Sequence, residues 1–315
     1  MKIVLLESLG ISQEILDQYA QKLKAKGHTF ENYPKDTDPK VQIERAKDAD
    51  ILMIANMPLS GEVIRVCKNL KFIDVAFTGV DHVDLAAAKE MGVKVSNAAG
   101  YSTQAVAEIA LCMMLSLLRN IPQVEERCRE GKTKDGLVGC ELRGKTVGIV
   151  GAGAIGCRTA ELCHAFGCKV LGYKRHVKGD EPSFIEFVSL DELLSRSDIV
   201  SLHCPINEDS KHLINAQTIS KMKKGAYLIN TARGPVVDSQ ALADALNNGY
   251  LFGAGIDVFE KEPPLDTDHP LLHSKNTIVT PHVAFASAES MIARADIVFD
   301  NIEAFLSGNQ KNIIL

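Results

Sequence analysis

The stretch TVGIVGAGAIG, residues 146–156, decides the fold. A short β-branched run leads directly into Gly151, Gly153 and Gly156 at the G-x-G-x-x-G positions, and a helical pattern follows. In a strand–turn–helix context that spacing has a physical meaning. The first glycine permits a tight turn, the second lets the backbone approach a pyrophosphate, and the third lets helix and strand pack closely. The helix N-terminus then offers free N–H groups and a partial positive charge to phosphates. Gly151, Gly153, Ala154, Ile155 and Gly156 are therefore candidate contacts to a dinucleotide. A ligand-free glycine turn in an α/β protein is the alternative.

Outward from this stretch the pattern is regular. Downstream, KVLGY (169–173), DIVSL (198–202), AYLIN (226–230), GAGIDV (253–258) and NTIVT (276–280) read as strands. Upstream, a separate series reads IVLL (3–6), ILMIA (51–55), FIDVA (72–76) and VKVSN (93–97), with amphipathic segments near 13–26, 40–47 and 84–90. Strands alternating with helices predict parallel sheets covered on both faces. Between the two series a helical pattern runs from Thr103 to Arg119, Pro122 interrupts it, and a polar stretch reaches Arg143. The expected fold class is α/β with two doubly wound parallel-sheet domains. The last helical pattern, Ala288 to Leu306, can pack back on the first series. The domains then read as 1–98 with 286–315, a discontinuous unit, and 99–285.

Composition narrows the function. A chain of 315 residues with 46% apolar and 24% charged residues has the balance of globular domains. A net charge of −5 argues against a general nucleic-acid binder, which needs a basic face for phosphates. The apolar run from Ile109 to Leu118 is about half of the ~20 residues a membrane span needs. It predicts a buried helix, and no membrane partner is expected. The first residues carry too short an apolar run for a signal peptide, so a cytoplasmic location is expected. The 8 cysteines form no CxxC pair and none sits near paired histidines, so no metal site is expected, and the thiols are expected to be reduced and mostly buried.

About twenty residues after the glycine turn, at the end of the next strand, NAD-binding sheets place Asp or Glu on the adenosine ribose. Here Tyr173 is followed by Lys174, Arg175 and His176. A carboxylate would repel the 2′-phosphate of NADP, whereas Lys and Arg bind it through charge-assisted hydrogen bonds. NADP is therefore the favoured cofactor. A solvated basic loop in an NAD enzyme is the alternative, and NAD use stays open.

Three more stretches lie at carboxyl ends of predicted strands, where open α/β sheets put their ligand crevices: NTARGPVVD (230–238), GIDVFEKEPP (255–264) and TPHVAFAS (280–287). Together they supply what reduction of a 2-keto acid needs. Arg233 offers a planar fork for the substrate carboxylate. His282 is the candidate proton donor to the carbonyl oxygen. Glu262 would hold the charged imidazole and orient it. Each alone reads equally as an ordinary surface or structural residue; the combination carries the inference.

These motifs, with LHCP at 202–205, resemble the D-isomer-specific 2-hydroxyacid dehydrogenases, and the resemblance runs over nearly the whole chain. It implies a flavodoxin-like substrate domain and a Rossmann coenzyme domain with a cleft between them. It implies Arg233, Glu262 and His282 as the catalytic set and Asp257 as the holder of the nicotinamide carboxamide. The backbone at Thr231 and Ala232 lies along the cofactor, and N–H groups of Gly79 and Val80 clasp the substrate carboxylate. A homodimer is also implied. Lys174 departs from the Asp of many members and looks more like the NADP-using glyoxylate and hydroxypyruvate reductases.

For the substrate, a small 2-keto or 2-hydroxy acid is expected, with hydroxypyruvate and glyoxylate leading because PHVAFAS is similar to the glycerate-dehydrogenase branch. Longer apolar 2-keto acids come next. The loop ANMPLS (55–60) lacks arginines that would hold a phosphate, and no regulatory domain is expected before Leu315. Met57, Phe77 and Phe285 either line an apolar wall or belong to the core. Two rivals share the fold: formate dehydrogenase, against which Glu262 speaks because that enzyme carries Gln there, and a non-enzymatic dinucleotide sensor that binds partner proteins.

Overall fold

A computed structural model of the chain describes residues 1–177, 179, 181–261 and 265–315. The chain divides into two compact units, Met1–Ser102 with Ala286–Leu315, and Thr103–Phe285. The division falls at the start of the long helix rather than at 98, where the strand rhythm pauses.

The first unit builds on β1 (Lys2–Leu5), α1 (Gln13–Ala25), β2 (Thr29–Asn32), α2 (Pro39–Ala46), β3 (Ile51–Ile54), α3 (Gly61–Val66), β4 (Phe72–Val75), α4 (Leu85–Glu90) and β5 (Lys94–Asn97). Its parallel five-stranded sheet has the order β2-β1-β3-β4-β5, the order of flavodoxin-like sheets. Strand β3 and the last three residues of β1 are buried on both faces, which is why they read as continuous apolar runs; β4 is buried throughout as well and carries Asp74.

The second unit contains α5 (Thr103–Leu118), α6 (Ile121–Arg129), β6 (Thr146–Val150), α7 (Ala154–Ala165), β7 (Lys169–Tyr173), β8 (Ile185–Phe187), α8 (Leu190–Arg196) and β9 (Ile199–Leu202). It continues with α9 (Ala216–Ile219), β10 (Tyr227–Asn230), α10 (Ser239–Asn247), β11 (Gly253–Ile256) and β12 (Thr277–Val279). Its parallel seven-stranded sheet has the order β12-β11-β10-β9-β6-β7-β8. The chain leaves β6 toward β7 and β8, then returns to its other side through β9, so β6 and β9 flank the topological switch point. Alternate residues fill two cores. Val150, Leu171, Val200 and Leu228 belong to one; Val147, Ile149, Val170 and Ile229 belong to the other, with Met113 and Leu117 of α5. The run Ile109–Leu118 thus lies largely in the core, with Cys112 on its exposed side. Among the described residues no single helix is long and apolar enough to cross a membrane.

The chain returns to the first unit through α11 (Ala288–Leu306), opened by a reciprocal Ser287–Ser290 capping box. Asn301 of α11 is fully buried and donates to Asp74 Oδ1 on β4 and to the Asn97 carbonyl, both at 2.9 Å. Asp74 is itself fully buried, and burial pushes its carboxyl well above the usual range against the pull of Asn301. Its folded value therefore lies above its unfolded one. The stability it contributes is complete below the unfolded value and is lost as pH rises through the folded value. Asp74→Asn should raise the unfolding temperature at about pH 8, with the gain shrinking toward zero near the ordinary carboxyl value of about 4; thermal melts across that range check it, and a pH-independent difference would contradict it.

Candidate active site

The glycine turn after β6 differs at each of its three positions. Gly151 has φ +96°, and a Cβ there would meet the Cys204 nitrogen at 2.6 Å. Only glycine satisfies both conditions. A Cβ on Gly156 would meet the Gly151 carbonyl oxygen at 2.2 Å, so α7 packs directly on the turn. Gly153 is the opposite case: it caps α7 with no side-chain hydrogen bond, and a Cβ there would meet nothing within 4 Å. The open side of Gly153 and the uncapped N–H groups of α7, including those at Ala154 and Ile155, form a cradle for an anion.

Beside it lies a cavity of about 370 Å³ lined by residues of this turn, of the β7 end and of the β9 end, among them Tyr173, Lys174, Arg175, His203 and Pro205. Three buried polar atoms of this unit, Ser197 Oγ, His203 Nδ1 and Thr231 Oγ1, have no hydrogen-bond partner among the described residues, and His203 lines the cavity. His203 donates its backbone N–H to the Val150 carbonyl at 2.8 Å, tying the ends of β9 and β6 together. Its Nε2 pairs with Ser201 Oγ at 2.9 Å, and burial drives the ring down to about 4, so it stays neutral near pH 7. A cavity at the switch point, an open glycine and unsatisfied polar atoms fit a bound dinucleotide. Lys174 and Arg175 line this cavity, and each pairs with a carboxylate, Glu181 and Asp209 respectively.

Strand register places the other candidates. Asn230 pairs with Ile256, and Ile256 with Val279, so β10, β11 and β12 end together at one edge. Arg233, Asp257 and His282 follow these ends within three residues. Neighbouring strands lie about 4.8 Å apart, which puts the Arg233 and His282 turns roughly 10 Å apart along the edge.

Asn230 shapes the first turn. Its side chain accepts from the Ala232 N–H at 3.1 Å and donates to the Arg233 carbonyl at 3.0 Å, while Arg233 Nη1 donates to the Ala232 carbonyl at 2.8 Å. Thr231 and Ala232 are buried beneath it. Gly234 then packs against the next loop: a Cβ there would fall 1.8 Å from the Phe259 carbonyl carbon. No side chain fits.

His282 holds a left-handed backbone, φ +54°. That conformation is uncommon outside glycine. Its N–H donates to the Asp257 carbonyl at 2.7 Å and to the Thr280 carbonyl at 3.1 Å. The Asp257 carboxylate, 0% exposed, accepts from Thr280 Oγ1 at 2.6 Å and from the N–H groups of Val283 and Ala284, both at 2.9 Å. Burial raises its carboxyl above the usual value, opposed by those donors and by His282. Asp257 thus braces the histidine turn from within, a task the sequence reading did not include. Phe285 meets the His282 ring edge-on, centroids 5.5 Å apart.

Glu262 lies outside the described residues. In the first unit, Gly79 and Val80 sit in the loop after β4, which Asn97 Nδ2 anchors by donating to the Thr78 carbonyl at 2.7 Å. Met57 and Phe77 are core residues there, 0% and 5% exposed.

A Rossmann-type sheet with a dinucleotide cavity and polar turns at three adjacent strand ends defines the class, a nicotinamide-dependent oxidoreductase. The chain belongs to the D-isomer specific 2-hydroxyacid dehydrogenases, whose NAD binding domain model matches residues 111–284. It is 38% identical over 286 residues to a hydroxypyruvate reductase of Blautia hydrogenotrophica, covering 88% of each chain. Among solved structures, it is similar to an acyclic imino acid reductase in complex with NADPH and D-Arg, at 30% identity and a TM-score of 0.91 over 100% of both chains. It is also similar to the D-lactate dehydrogenase of Aquifex aeolicus complexed with NAD and lactic acid, at 32% identity and a TM-score of 0.88 over 100% and 99% of the two chains.

The space beside Gly153 yields a direct test. Gly153→Ala adds a methyl that meets nothing within 4 Å, so it should cost no more stability than the loss of a glycine N-cap, about 1 kcal/mol or less. It should weaken dinucleotide binding at least about tenfold by filling the cradle; a thermal melt checks the first part and calorimetric titration the second.

Proposed function

We propose that this enzyme reduces a small 2-keto acid to the D-2-hydroxy acid, with hydroxypyruvate or glyoxylate as the leading substrate. The observation that carries the reading is the alignment of the Arg233, Asp257 and His282 turns at the ends of three adjacent strands, on the sheet whose first strand carries the glycine cradle. The bound reduced nicotinamide supplies a hydride to the keto carbon. Arg233 pairs with the substrate carboxylate, the group that the N–H donors of Gly79 and Val80 are also suited to bind. His282, protonated, gives its proton to the carbonyl oxygen, and Glu262 favours the charged ring and fixes its orientation. Each reduction consumes a proton, so lower pH favours the reductive direction. Asp257, besides bracing the turn, meets the nicotinamide carboxamide, and the Thr231–Ala232 backbone runs along the cofactor.

NADP is the preferred cofactor in this reading, its 2′-phosphate meeting Lys174 and Arg175, with NAD also accepted. The working form is a homodimer in the cytoplasm.

Absorbance at 340 nm with a panel of 2-keto acids and both reduced cofactors tests the proposal. Hydroxypyruvate or glyoxylate should give the highest kcat/KM; turnover with none of the acids would leave the dinucleotide-sensor reading. His282→Asn keeps a residue that tolerates positive φ while removing the acid. It should lose at least about a hundredfold in kcat, the usual contribution of a general acid. Arg233→Ala should chiefly raise KM, and unchanged turnover in the His282 variant would remove that residue from the mechanism.

A further inference from the structure

The two cations at the end of β7 are read from the sequence as free to meet a phosphate, yet each holds a carboxylate of its own chain. Lys174 Nζ pairs with Glu181, seven residues on, in the loop before β8. Arg175 pairs with Asp209 and donates from Nη2 to Asn207 Oδ1 at 2.9 Å, which straps the β7 end to the loop after β9. Lys174, Arg175, Asn207 and Asp209 all line the cavity.

The two pairs differ in environment. The side chains of Arg175 and Asp209 are 53% and 73% exposed, so solvent and salt screen them. Those of Lys174 and Glu181 are 22% and 6% exposed. Glu181 is further fixed by the Gly179 N–H, which donates to Oε2 at 2.7 Å, and Lys174 Nζ stands 5.9 Å from the Phe187 ring centroid. A carboxylate so enclosed is screened little, and its partner cation is largely neutralised.

We propose that Glu181 is an internal competitor for the 2′-phosphate of NADP(H), and that its hold on Lys174 sets the cofactor preference of this enzyme. The inference rests on the reading of the cavity as the dinucleotide site. A cofactor with a free ribose 2′-hydroxyl leaves both ion pairs intact. A 2′-phosphate must compete with the Glu181 carboxylate for Lys174 and accept a second anion nearby, which offsets part of what the lysine contributes. Asp209 does the same to Arg175 from an exposed position, and to a smaller degree. The basic cluster therefore admits NADP(H) without excluding NAD(H).

Calorimetric Kd values for NADPH and NADH on the full chain test this. Glu181→Gln should shift the Kd ratio toward NADPH about tenfold, or about 1.4 kcal/mol. Glu181→Asp, which withdraws the carboxylate by one methylene, should shift it the same way by less and serves if the Gln variant does not fold. Asp209→Asn should move it under about threefold. Adding Lys174→Ala to Glu181→Gln should erase the gain. A ratio unchanged in both Glu181 variants, a shift toward NADH, or a gain that survives loss of Lys174 would each overturn the proposal while leaving the cavity assignment intact. Wild-type protein that binds neither cofactor would overturn both.

Discussion

The shared register of a parallel sheet is the constraint on which the site depends. Because β10, β11 and β12 stop at the same level, the residues that follow them must emerge side by side. Because β6 lies in the same sheet in the same sense, the glycine turn and the N-terminus of α7 emerge at that edge too. Main-chain hydrogen bonding thus gathers an arginine, a histidine and an anion cradle that are spread over more than a hundred residues of the chain.

What the sheet does not determine, individual contacts do. The histidine turn requires positive φ at His282, which costs about 1 kcal/mol or more for a residue with a side chain. The buried Asp257 carboxylate offsets that cost by accepting from the turn on both sides of the histidine. Asn230 does the equivalent for the arginine turn. The contact between Gly234 and Phe259 ties the arginine turn to the loop that leads toward Glu262, so one glycine couples two otherwise separate loops.

Much of this was legible in the sequence because long apolar strands and the glycine spacing are strong local signals. The elements it missed are weak for physical reasons. The edge strands TFEN and IEF are not continuous apolar runs, and each has exposed positions. The helix α3 has six residues and begins at a glycine. The segment after Pro122 reads as polar because α6 buries no residue; the helical pattern does break before Pro122, and the proline sits in the first turn of α6, where its missing N–H costs nothing. The roles of Asn230 and Gly234 have signals within NTARG, an Asx side chain at a strand end and a glycine after it, but their partners are set by tertiary contact. Asp209 is further out of reach, since only the sheet order brings the loop after β9 beside Arg175.

Charge shows the same limit. Lys174 and Arg175 carry a clear electrostatic message in isolation, and the fold tempers it with two acids that the local sequence does not connect to them. The chemistry at the other end of the site rests on His282 reaching the substrate oxygen. A crystal structure with reduced cofactor and a non-reacting 2-keto acid analogue measures that most directly. The account predicts an imidazole nitrogen of His282 at about 2.6–3.2 Å from the keto oxygen, with the Arg233 fork on the carboxylate. A ring turned away from that oxygen, with another group of the chain in its place, would contradict it.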